Sequence, residues 1–363
     1  MNVFDQRRKA LLETVDCEGY MVVDLARLMP KEIDHTSLFY LSGYQGEGVL
    51  ITTERETVLL ADERYFEAAK DQVGHDLVVH QAAGDYLANI KQEVERLAFS
   101  ELSFTSNRIT YSLFDRLQRL LDVTLTPRED PIAKLRMVKD AEEIRCIDAA
   151  VDISETCLHQ LVEEIEIGMT EQAIASRLDI LMLENGVERA FEPIVAAGEN
   201  CFNQHHHPSD RRIKAEDFLL IDFGASTGEY LADMTRTFAV GTITPKMQAI
   251  HDAARKATEI GTEKLQPRTP IKDVWQAIKN HFDQTDYAPH SAISGHCIGL
   301  DLHERPFILE GDPFELQAGM VTTIEPGIYI QGYGGVRIED DVVITPTGPK
   351  VLNRFPKELM IVG

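Results

Sequence analysis

Short apolar runs alternate with helical periodicity along the first third of the chain. YMVVD (20–24), GVLITT (48–53) and TVLLAD (57–62) are β-branched, apolar and brief, which predicts strands. DERYFEAAKDQV (62–73) and GDYLANIKQEVERLAF (84–99) repeat their apolar residues every three or four positions, which predicts helices. This alternation predicts an α/β domain over residues 1–126. TPREDP (126–131) combines two prolines with charges where the pattern breaks, so residues 127–131 are expected to link it to a second domain, 132–363.

The second part opens with helical periodicity from about Lys139 to Glu164. A further helix is expected from Thr170, a suitable cap, to Glu184, with Asn185-Gly186 ending it through a left-handed residue. Beyond Pro193 strands dominate, broken by two helices near 245–265 and 270–282. The fold class expected for the whole chain is therefore α/β (α+β), with histidines and out-of-place acidic residues concentrated in the second part. His35, His75 and His80 are scattered through the first part and read as structural or surface residues.

Composition narrows the function. The chain has 363 residues, 44% hydrophobic and 26% charged, ordinary for a folded protein of two domains. Its net charge of −24 argues against nucleic acid and anionic lipid, both of which call for a basic face. Cations remain suitable partners. Cys17, Cys146, Cys157, Cys201 and Cys297 are odd in number and widely spaced, which fits free thiols in a reducing compartment. No signal-peptide core and no run of about 18 apolar residues is present, so no membrane span and a cytoplasmic location are expected.

The chemistry lies in four segments. In FLLIDFGASTGEYLADMTRTFAVG (218–241), Asp222 interrupts an apolar run, where a charge is costly unless neutralised. A hairpin turning at Gly-Ala-Ser-Thr-Gly would bring Asp233 beside it. The pair is either a strand-end and a turn aspartate, or two carboxylates sharing a cation or proton. SGHCIGLDLHERP (294–306) offers His296 and His303 among glycines, with Asp301 and Glu304 to orient the rings. MVTTIEPGIYIQGYGGVRIEDDVVIT (320–345) places Glu325 at the end of one apolar run and Glu339 inside another, with Arg337 on the same strand face as Glu339. ENCFNQHHHPSDRR (199–212) carries His205, His206 and His207; a solvated loop would explain them, but one is expected to face the cluster. Two Asp, two Glu and one His suit Mn²⁺, Co²⁺ or Zn²⁺, and the number suits two ions about 3.5–4 Å apart.

With these residues in view, the chain resembles the metal-dependent Xaa-Pro peptidases, prolidase and aminopeptidase P, which share the pita-bread fold with methionine aminopeptidase and creatinase. The resemblance covers nearly the whole chain. YLSGY and LLADERY look like the creatinase-type N-terminal domain, and IAKLRMVKDAEEI (132–144) looks like the entry to the catalytic domain. IDFGASTGEYLADMTRTF, GHCIGLDLHERP, TIEPGIYI and GVRIEDDV match the metal-site motifs in order and spacing. The resemblance implies metal ligands Asp222, Asp233, His296, Glu325 and Glu339, substrate-positioning histidines at His205 and His303, and an active-site arginine at Arg337. Creatinase lacks the metal set, so this chain resembles a working peptidase. One position departs: Ala292 stands where many members have histidine, and His290 is out of register.

The expected function is therefore metal-dependent exopeptidase action on Xaa-Pro bonds, as a dipeptidase or an aminopeptidase. Two divalent ions are expected, Mn²⁺ favoured over Co²⁺ or Zn²⁺, with a hydroxide bridging them as nucleophile and Glu325 as general base. Proline-containing di- or oligopeptides are the expected substrates and a homodimer the expected assembly. Three alternatives stand beside this reading. A methionine-aminopeptidase-like enzyme matches only the C-terminal half. A metal-free binding protein on the same fold calls for a lost ligand. A hydrolase or lyase of a small non-peptide molecule is kept open by Ala292.

Overall fold

A computed structural model describes residues 2–25, 34–74, 77–82, 84–287 and 293–363. His75, His290 and Ala292 lie outside these described residues. The chain divides into two compact units, Met1–Arg136 and Met137–Gly363.

The first unit is built on a six-stranded sheet. Its strands are β1 (Gly19–Asp24), β2 (Gly48–Thr53), β3 (Thr57–Asp62), β4 (Val78–Ala82), β5 (Glu101–Thr105) and β6 (Thr124–Arg128), in the order β4-β3-β2-β1-β5-β6. Helices α1 (Val3–Val15), α2 (His35–Ser42), α3 (Phe66–Val73), α4 (Tyr86–Leu97), α5 (Tyr111–Leu120) and α6 (Pro131–Arg136) complete the unit. The three expected strands form its centre, because runs such as GYMVVD are buried along their whole length. The residues expected as a linker belong to this unit instead. Pro127 sits in β6 opposite Phe104, at the sheet edge, where a missing N–H breaks no ladder. Pro131 then starts α6, the position a helix tolerates in proline. His80 hydrogen-bonds through Nδ1 to Glu93 at 2.6 Å, and His35 stands 3.4 Å from Asp24, so both have the structural partners expected of them.

The second unit begins with α7 (Ala141–Glu164), capped by Asp140 and Glu143 in a reciprocal capping box, and α8 (Glu171–Glu184). Thr170 caps α8 through Ala173 N at 3.0 Å, and Gly186, at φ +75°, follows its end as the Asn-Gly pair suggested. Strands β7 (Glu188–Arg189), β8 (Ile194–Ala197), β9 (Phe218–Phe223), β10 (Ala225–Thr227), β11 (Tyr230–Leu231) and β12 (Met234–Val240) precede helices α9 (Pro245–Lys264) and α10 (Ile271–Phe282). The chain ends in β13 (Ile293–Cys297), β14 (Glu304–Leu309), β15 (Val321–Ile324), β16 (Gly327–Ile330), β17 (Gly334–Arg337), β18 (Asp340–Thr345), β19 (Gly348–Val351) and β20 (Ile361–Val362). Two larger sheets result, β20-β12-β9-β8 and β14-β13-β15-β18-β19.

The two-residue alternation of β9 decides what faces the site. Leu219, Ile221 and Phe223 pack with Leu158, Leu178 and Leu181 of α7 and α8. Phe218 and Leu220 pack on the opposite side with Met247 and Ile250 of α9 and Ile324 of β15. Asp222 shares that second side by the period of two. Its charge therefore points inward, as the interrupted apolar run implied. Among the described residues no helix is long and apolar enough to cross a membrane, and all five cysteines are free.

Candidate metal centre

β9 and β12 pair antiparallel with Asp222 opposite Thr235, which places Asp233 one residue before the second strand and beside the first carboxylate. The segment expected as a simple turn is itself a small hairpin, β10 against β11. Gly224 lets the chain double back there, since a Cβ at this position would lie 1.7 Å from the Ala232 carbonyl oxygen. On the other sheet, β13 carries His296, and Glu325 follows directly on β15. The run GVRIEDDVV, read as one strand, is two: Ile338 and Glu339 separate β17 from β18. The break lets Glu339 N donate to the Thr235 carbonyl at 3.1 Å, tying the two sheets together at the site.

These elements surround a cavity of about 360 Å³. Asp222, Asp233, His296, Glu325 and Glu339 all line it, as do His205, His303 and Arg337. One ligand atom from each of Asp233, His296 and Glu339 lies within 4.8 Å of the others. His296 Nε2 is 3.5 Å from both Asp233 Oδ2 and Glu325 Oε1. Its Nδ1 faces the Cys297 carbonyl at 3.1 Å, and a carbonyl can only accept. The proton of the neutral ring is thereby assigned to Nδ1, leaving an Nε2 lone pair directed at carboxylate oxygens.

That arrangement is repulsive by itself. Burial, then Glu339, Asp222 and Glu325, raises the Asp233 carboxyl well above the ordinary range. Burial, then Glu325 and Asp222, does the same to Glu339. Burial also raises Glu325, against the pull of His296 and Arg337. Asp222 Oδ1 and Asp233 Oδ1 are buried with no hydrogen-bond partner. Crowded carboxylates, orphaned oxygens and one imidazole lone pair form a donor set suited to divalent cations, and the residues present fit them.

Three positions outside the expected set complete the surroundings. Thr235 Oγ1 donates to Glu339 Oε2 at 2.6 Å and accepts from Arg337 Nε at 3.0 Å. Arg337 also donates to Tyr329 Oη at 2.7 Å and to Asp222 Oδ2. Asp341 Oδ2 accepts the Asp233 N–H at 3.0 Å. Asp341 sat in the same apolar run as Glu339, so its charge was a readable signal. Thr235 and Tyr329 carried none, being residue types that strands favour anyway.

The histidine loop resolves into separate roles. His205 lines the cavity while remaining exposed, His206 Nε2 is held by Glu171 Oε2 at 2.8 Å, and His207 is exposed away from the cavity lining. His303 packs edge-on against His296 with ring centroids 4.5 Å apart. Burial, followed by the nearby His296 and His205, lowers its pKa, favouring the neutral ring.

Comparison with known proteins matches residues 145–346 to metallopeptidase family M24 and residues 6–138 to the creatinase/prolidase N-terminal domain. The chain belongs to metallopeptidase family M24. Among relatives of this M24 chain, the Xaa-Pro dipeptidase of Pyrococcus furiosus is 34% identical over 331 residues, covering 89% of this chain and 92% of the relative. An uncharacterized peptidase of Bacillus subtilis is 32% identical over 332 residues, covering 90% and 94%. Among solved structures, the Xaa-Pro dipeptidase of Bacillus anthracis aligns with a TM-score of 0.93 at 28% identity over 99% of this chain and 100% of the other. The X-Pro aminopeptidase of Thermotoga maritima aligns with a TM-score of 0.91 at 29% identity over 97% and 99%. The fold of the M24 chain is thus a creatinase-type N-terminal domain and a pita-bread catalytic domain, as the resemblance implied.

Proposed function

We propose that this metallopeptidase is an exopeptidase that cleaves Xaa-Pro bonds, using two divalent ions held by Asp222, Asp233, His296, Glu325 and Glu339. The supporting observation is the convergence of all five side chains on one cavity, with two buried carboxylate oxygens lacking partners. The oxygen-rich donor set favours Mn²⁺, with Co²⁺ and Zn²⁺ as alternatives. When bound, such ions supply Lewis acidity and a water acidified towards a pKa of about 7.

The chain's own side chains supply the rest. Glu325 is the most open of the five, its side chain 22% exposed, and is placed to take a proton from water and return it to the leaving nitrogen. His205 and His303 line the same cavity and donate to the scissile carbonyl oxygen as negative charge grows on it. Arg337, bound to Asp222, Thr235 and Tyr329, keeps the Asp222 carboxylate oriented and balances the charge of the acidic wall. A prolyl amide carries no N–H, so recognition must rest on ring contacts. Phe191, Ile194, Ile293, Leu302 and Phe307 give the cavity an apolar wall for that purpose.

Hydrolysis of Ala-Pro, Ala-Pro-Ala and Ala-Ala by Mn²⁺-loaded protein tests the reading. Turnover of the prolyl peptides above Ala-Ala is expected, and preference between the first two separates dipeptidase from aminopeptidase action. Equal or absent turnover of all three would refute it.

A further inference from the structure

Glu171 is the first residue of α8, with no side-chain surface exposed, and it lies outside the metal cluster. Five donors meet its carboxylate. Oε1 accepts from Ala197 N at 2.7 Å and Asn200 Nδ2 at 2.9 Å. Oε2 accepts from His206 Nε2 at 2.8 Å, Ser209 N at 3.1 Å and Ser209 Oγ at 2.6 Å. These donors come from the end of β8, the following 3₁₀ turn Gly198–Phe202, and the histidine loop. Burial opposes its ionisation, but the hydrogen bonds from Ser209, His206, Asn200 and Ala197 hold the carboxyl below its ordinary range. The loop is fastened elsewhere too: Gln172 N donates to the Ser209 carbonyl at 3.0 Å, and Glu171 N to that of Arg211 at 3.1 Å.

A helix cap needs none of this. Thr170 already caps α8, so the carboxylate's contacts all serve the neighbouring segments. His206 is fixed by Glu171, and the adjacent His205, in the turn at Gln204–His205, lines the cavity beside His303, so the bond that anchors one histidine also sets the backbone from which its neighbour projects.

We propose that Glu171 is a positioning residue for His205, acting through the buried hydrogen bonds that set the 204–209 loop. The inference rests on the reading of His205 as an oxyanion donor. Glu171→Gln keeps the volume but turns an N–H₂ towards one of two backbone N–H groups, Ala197 or Ser209, that can only donate. Misplacing a reacting group by about 1 Å costs on the order of 10²-fold, so kcat for Ala-Pro should fall by about that factor with KM and bound Mn²⁺ unchanged. In a His205→Ala background the same substitution should change kcat less than about twofold, because coupled residues are not additive. Equal losses in both backgrounds, or wild-type turnover in Glu171→Gln, would overturn the proposal. Ser209→Ala, which removes one of the five Glu171 contacts together with the bond from Arg211 N and spares the helix start, repeats the comparison should the first variant not fold. The ring resonances of His205 in the metal-free protein provide a readout without substrate. They should shift in either variant even if the wild type proves inert on Ala-Pro, and unshifted resonances would refute the clamp by themselves.

Discussion

Asp233 Oδ2 and His296 Nε2 lie 3.5 Å apart, although one precedes a strand of the four-stranded sheet and the other sits on a strand of the five-stranded sheet. Both side chains are buried. The seam between the two sheets is thus where the acidic and imidazole groups meet. A cation placed there relieves their repulsion, so occupancy and stability of this seam should be linked.

Removing metal with a chelator should therefore lower the thermal midpoint, and adding back Mn²⁺ should restore it. Asp233→Asn should raise the midpoint of the metal-free protein, since it discharges a carboxyl crowded by Glu339, Asp222 and Glu325. Calorimetry with and without Mn²⁺ would decide; a metal-free midpoint lower than wild type would contradict the charge argument.

Asp233→Ala should lose one equivalent of metal and most activity, several kcal/mol in transition-state terms. Metal analysis after dialysis together with Ala-Pro turnover is the measurement. Full metal content and full turnover would refute the assignment of Asp233.

His303→Ala should lower kcat by about 10²–10³-fold, the usual loss for one oxyanion donor, with metal content intact. A rise in KM at constant kcat would instead mark His303 as a general binding contact.

Lys139 Nζ pairs with Glu304 Oε2 at 2.9 Å, and Glu304 Oε1 accepts from Leu300 N and Asp301 N in the loop leading to His303. Both partners are buried. Lys139→Met would strand a buried carboxylate and should cost about 3–5 kcal/mol. The double variant with Glu304→Leu should recover much of that stability in denaturant melts, while turnover stays low because the loop has lost its anchor.

His251 on α9 is 1% exposed, and its Nδ1 has no hydrogen-bond partner. Burial lowers its pKa to about 4, with Arg255 and Arg236 adding to that effect and Asp252 and Glu358 opposing it. The unfolded chain, with an ordinary histidine pKa of about 6.5, binds the proton more readily than the folded chain between these limits. Stability contributed by neutral His251 is present above about pH 6.5 and is lost as pH falls towards 4, by on the order of 3 kcal/mol. His251→Leu should flatten this part of the stability profile relative to wild type. An unchanged slope between pH 6.5 and 4 would show that other groups carry it.

Charged residues inside apolar runs were the readable part of the site. Asp222, Glu339 and Asp341 each sit where a strand should be uninterrupted, and burial of a charge implies something that compensates it. Helix limits were legible for the same local reason: Thr170 supplies a capping oxygen and Gly186 a left-handed turn. Pro127 and Pro131 announce a break in the pattern, yet the division between the two units falls later, at Arg136. An edge strand and a first helical turn accommodate both.

Local pattern thus settled many of the longer elements and which carboxylates had no reason to be buried alone, because backbone period and desolvation act within a few residues. The spacing of residues left His205, His206 and His207 equivalent, and beyond the family resemblance that pointed to His205, only the tertiary structure showed that His205 lines the cavity, that Arg337 is committed to Asp222 and Tyr329, and that Glu171 holds the loop. Those outcomes depend on donors and acceptors from distant segments, whose directions are set by sheet packing and appear nowhere in the spacing of residues along the chain.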